Sequence, residues 1–140
     1  VSEKISQAHE PRILVYSDDS NVREEIILAL GLKPVAGLGK TQYLQVATEP
    51  VAQQHLRSGN FDLVILDGEA APAGGMGIAK AAKDEIFNCP PILLVIQRAQ
   101  DAWLATWSRA DGVVPRPIDP LVIRQTASAL LRKRLALSAG

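Results

Sequence analysis

The chain has 140 residues, 15 basic and 15 acidic side chains, and a single cysteine, Cys89. That length suits one well-buried domain. The balanced charge offers no global field for nucleic acid or anionic lipid, and one cysteine excludes an internal disulfide and a multi-cysteine metal cage.

Arg12–Tyr16, RILVY, reads as the first strand. Ser17 to Asn21 turn the chain and cap a helix whose apolar side is Val22, Ile26 and Leu30, with Arg23, Glu24 and Glu25 facing out. Gly31 stops that helix, and residues 32–41 form a loop. Tyr43 to Ala47 is a second strand, and Thr48 or Glu49 caps a helix with Pro50 in its first turn, ending at Gly59. Leu63-Val64-Ile65-Leu66 then runs straight into Asp67. A continuous apolar run of this kind reads as a strand buried on both faces of a parallel sheet.

A small-residue loop follows, and a third helix runs from Met76 or Gly77 to about Phe87, buried through Ile78, Ala82 and Ile86. Cys89-Pro90-Pro91 ends it. Ile92–Ile96 is the fourth strand, Gln100–Arg109 a short helix, and Gly112–Val114 a brief fifth strand. Asp119-Pro120 opens the last helix, with Ile123, Ala127, Leu130 and Leu131 as its buried stripe and Arg132-Lys133-Arg134 near its end. Alternating strands and helices with right-handed crossovers predict an α/β domain, a parallel sheet with helices on both faces. Residues 1–10 are expected to be loose, 11–136 to form the domain and 137–140 a tail. No output domain is expected after the last helix.

In such a sheet, the loops after the first and third strands meet at the topological switch point. That brings Asp18 and Asp19 near Asp67. Carboxylates gathered in one place repel unless a cation lies between them, and all-oxygen ligands favour Mg²⁺. Such an aspartate can accept a phosphoryl group while Mg²⁺ offsets the developing charge. Capping of the first helix is the competing role for Asp18 and Asp19.

RILVYSDD before an amphipathic helix, FDLVILD, and VVPRPIDP before the last helix occur here in that order. Over about residues 12–135 the chain resembles the receiver domain of bacterial two-component response regulators. The resemblance implies a flavodoxin-like three-layer sandwich with strand order 2-1-3-4-5. It implies a stand-alone, non-enzymatic module with Asp67 as phosphoacceptor. A histidine kinase or phosphotransfer protein would donate the phosphoryl group, and a downstream protein would read the result. Mg²⁺ would be held by Asp18, Asp67 and the Glu69 backbone carbonyl, with Asp19 able to swing in as a substitute.

The chain also departs from the family pattern. One of two expected acids falls on Ser17. The hydroxyl that usually ends the fourth strand falls on Ile96. The aromatic switch position falls on Val113, and the usual lysine is Arg116, expected to precede Pro117 through a cis bond.

Trp103 and Trp107 share a helix face, and packing against the sheet is the expectation for at least one; exposed, they would mark a partner surface. His9, His55 and Cys89 are assigned no chemistry. Gly74, Gly75 and Gly77 shape a loop rather than cradle phosphate. Arg132-Lys133-Arg134 reads as a solvated helix end. The further expectation is a cytoplasmic protein with no nucleic-acid or membrane partner; the sequence does not fix the oligomeric state, and the resemblance allows a homodimer through the face holding the last helix. Two rival functions are a phosphorylation-independent adaptor and a flavodoxin-like flavin carrier. Asp18 and Asp19 count against the carrier because they would repel a cofactor phosphate.

Overall fold

The structure is a computed structural model and describes residues 9–71 and 73–135. The expected loose start (before residue 9) and the 137–140 tail lie outside those residues. Five parallel strands run in the order β2-β1-β3-β4-β5. The strands are β1 (Arg12–Tyr16), β2 (Gln42–Val46), β3 (Leu63–Asp67), β4 (Ile92–Ile96) and β5 (Gly112–Pro115). The helices are α1 (Ser20–Leu30), α2 (Glu49–Ser58), α3 (Gly75–Glu85), α4 (Ala102–Ser108) and α5 (Pro120–Arg134). This is the predicted order, with ends moved by a residue or two. The expected helix from Gln100 begins instead as a 3₁₀ turn, Ala99–Asp101. There the Arg98 carbonyl takes the Asp101 N–H at 3.0 Å before the α-helical turns begin.

The apolar strand runs conceal an alternation that only packing reveals. Ile13, Val15, Leu63, Ile65, Leu93 and Val95 face one way, into a core with Val22 and Ile26 of α1 and Ile123, Ala127 and Leu131 of α5. Leu14, Val64, Leu66, Ile92, Leu94 and Ile96 face the other, against Leu56 of α2, Ile78 and Ala82 of α3 and Ala105 of α4. Period-two side chains therefore feed two cores at once, and β3 is buried along its whole length. Each fully buried aliphatic side chain contributes about 1.5–3 kcal/mol.

Helix ends follow local chemistry. The Asp119 carboxylate accepts the Leu121 N–H at 2.9 Å, with Pro120 in the first turn of α5 where no N–H is needed. Gly59 ends α2 at φ 75°, a backbone region that costs glycine nothing. Among the described residues, no helix is long and apolar enough to cross a membrane.

Candidate functional site

Parallel pairing of β1 and β3 sets Tyr16 beside Leu66, so the next residues, Ser17 and Asp67, meet at the carboxyl edge of the sheet. The Ser17 hydroxyl donates to Asp67 Oδ2 at 2.7 Å. The Glu69 N–H donates to Asp67 Oδ1 at 2.9 Å. Both carboxylate oxygens are thereby oriented, and Asp67 is only 3% exposed. Asp18 reaches over the same loop and accepts the Ala71 N–H at 3.1 Å. Asp18 and Asp67 thus grip N–H groups two residues apart on one loop.

Asp19 goes elsewhere. Its Oδ1 accepts the Asn21 N–H at 2.9 Å and caps α1, the competing role named for it. The free N–H groups of a helix's first turn are the nearest donors for an acid at that position, and they win it. Arg116 follows Ile96 through its N–H to the Ile96 carbonyl at 2.8 Å, and the Arg116–Pro117 bond is cis as expected. Its guanidinium turns to Glu25 at 3.8 Å. Ile96 is buried and packs into the core with Ile78 and Ala105, so the end of β4 carries no hydroxyl.

Three features of the loop lay beyond the sequence argument. Tyr16 sends its hydroxyl across to the Ala73 carbonyl at 2.7 Å, tying β1 to the far end of the loop. Burial, followed by the charges of Glu49, Asp18 and Asp67, raises the pKa of that phenol. Arg23, expected to face out, instead donates to the Ser17 carbonyl at 2.6 Å and to Gln45 at 3.0 Å. Gly75 packs so tightly that a Cβ there would stand 2.7 Å from the Asp67 carbonyl oxygen, and one on Gly74 would stand 2.8 Å from that of Gly68. The expectation that glycines shape the loop holds for Gly74 and Gly75, whereas Gly77 lies within α3 with open space around a Cβ. A tyrosine ending a strand before a polar turn was the available signal, since a buried phenol needs a partner.

The oxygens fit a sparse hard-cation site rather than a cage. Among the described residues, no group of three or more His, Cys, Asp or Glu is placed to hold a metal. Asp18, Asp67 and the Glu69 carbonyl, which accepts no hydrogen bond among the described residues, are the oxygen donors that the resemblance would assign to Mg²⁺. Mg²⁺ commonly uses one or two carboxylates, keeps several waters and takes the rest from a phosphate. On α4, the buried positions are Ala105 and Ser108, while Trp103 and Trp107 are 68% and 53% exposed. The expectation that at least one packs inward is therefore corrected. The inward side of this short helix accommodates only small side chains beside β4.

No family model matches the chain. Two proteins of Mycobacterium tuberculosis, from strains CDC 1551 and H37Rv, each described as an uncharacterized response regulatory protein, are 51% identical over 121 residues, covering 86% of this chain and 91% of theirs. The chain belongs to the response-regulator family. Solved structures agree on its receiver fold. A CheY-like receiver domain protein from Methanospirillum hungatei superposes with a TM-score of 0.74 at 15% identity, covering 91% of this chain and 98% of that one. A two-component response regulator from Clostridium difficile gives 0.71 at 19% identity, covering 89% and 98%. This receiver therefore has the flavodoxin-like fold and the character of a signalling domain.

Proposed function

We propose that this receiver accepts a phosphoryl group on Asp67 and signals through protein contacts. The observation that carries this reading is the oriented Asp67 carboxylate at the switch point, with Asp18 bonded to the loop that follows it. Oδ1, the oxygen that Ser17 does not hold, attacks the phosphorus of a phosphohistidine on a histidine kinase or phosphotransfer protein. The P–N bond breaks and an acyl-phosphate P–O bond forms. The imidazole leaves with the electron pair and takes a proton from water. Mg²⁺ held by Asp18, Asp67 and the Glu69 carbonyl would offset charge on the phosphoryl oxygens. Arg116 can add charge by leaving its exposed pairing with Glu25, since such pairs contribute about 1 kcal/mol or less. Trp103 and Trp107 supply the contact surface for the downstream protein.

A second reading, a phosphorylation-independent adaptor, is favoured by buried Ile96 and by the near-complete enclosure of Asp67. Incubation with Mg²⁺ and acetyl phosphate, followed by intact-mass measurement, separates the two. A phosphoryl adduct on wild type that is absent from Asp67→Asn supports the first reading. Wild type that stays unmodified, with acetyl phosphate and with histidine kinase alike, leaves the adaptor.

A further inference from the structure

The neighbours of Ser17 settle the direction of its hydroxyl. The Asp19 N–H donates to Ser17 Oγ at 3.0 Å, so the single hydroxyl proton is left for Asp67 Oδ2 at 2.7 Å. Ser17 is fully buried, and its carbonyl is held by Arg23 at 2.6 Å, so the group cannot swing away cheaply. A fixed donor against a carboxylate oxygen does there what a cation does: it brings positive charge close and fixes the lone pairs. It does so without a coordination shell.

We infer that the Ser17 hydroxyl competes with a divalent cation for Asp67 Oδ2 and so sets the metal dependence of the site. This builds on the reading of Asp67 as phosphoacceptor. In the resting receiver, Ser17 and the Glu69 N–H orient the acceptor unaided. Mg²⁺ binds weakly until a phosphodonor contributes oxygens of its own. Ser17 is a positioning residue on this account, acting through Asp67.

The test is calorimetric titration of Mg²⁺ into the intact chain, with fold checked by circular dichroism. Ser17→Ala removes the competitor and is expected to raise Mg²⁺ affinity several-fold, whereas Ser17→Thr, which keeps the hydroxyl, is expected to match wild type. Ser17→Asp adds a carboxylate and is expected to bind about tenfold tighter. A residue that merely props the loop would lose affinity on truncation. Folded Ser17→Ala that binds Mg²⁺ no tighter than wild type overturns the inference. If that variant does not fold, wild type binding as tightly as Ser17→Asp overturns it. Acetyl phosphate labelling is scored separately. The expected metal response with no labelling from acetyl phosphate or from a histidine kinase removes the phosphoacceptor reading and leaves this one standing; labelling without the metal response does the reverse.

Discussion

Asp67 is held by a neighbour that its own loop could not supply. Ser17 follows β1, 50 positions earlier, and only the parallel register of β1 on β3 sets the two side by side. Asp67 and Asp18 were legible in the sequence, because a carboxylate ending an apolar run needs a reason and the acidic turn after the first strand offered one. The Ser17 bond was not legible as a bond: a serine in a turn looks the same whether it faces water or a buried acid. The glycines were readable as loop-shaping, but which backbone atoms they approach was hidden, since that depends on how the loop folds back on β3. That packing leaves a sharp prediction. Gly75→Ala sets a Cβ 2.7 Å from the Asp67 carbonyl oxygen, so a loss of about 2 kcal/mol or more in urea unfolding is expected.

Among the elements, β3 bears most on both site and stability, because it is walled on either side. Ile65→Ala should cost about 2–5 kcal/mol by denaturant unfolding, since the core it faces, with Val22, Ile26, Ile123 and Ala127, cannot close over the missing carbons without moving a strand or a helix. A different dependence comes from β2. Tyr43 donates its hydroxyl to the Gly31 carbonyl at 2.6 Å, and burial pushes its pKa up to about 12 from 10.0, with Arg124 pulling slightly the other way. An unfolded chain releases that proton near pH 10 while the folded chain keeps it. The contribution is therefore whole below pH 10 and is lost as pH rises towards 12. Unfolding measured across that range should show a fall in stability that is shallower in Tyr43→Phe. Element order was legible because each apolar run is bounded by glycine, proline or a capping acid. Ends moved where a turn's own bonding decided, as at Ala99–Asp101.

At the scale of the whole molecule, the two cores explain why the fold could be anticipated more fully than the face that partners touch. Alternating strands and helices, with short connections and right-handed crossovers, leave few topologies open. Which side of a seven-residue helix points out is decided by what lies beneath it, and nothing in the spacing of Trp103 and Trp107 carries that. Because both are exposed, Trp103→Ala should leave the unfolding midpoint unchanged to within about 0.5 kcal/mol. A larger loss would mean that the indole is packed after all.

These are also the only two tryptophans in the chain. Neither core contains an indole, and Trp107 has the Lys80 ammonium 5.8 Å from its ring centre. Ultraviolet emission excited at the red edge should therefore come from one patch of surface and should be readily quenched by acrylamide. Any molecule that settles on α4 ought to announce itself as a blue shift, without a dye or a tag.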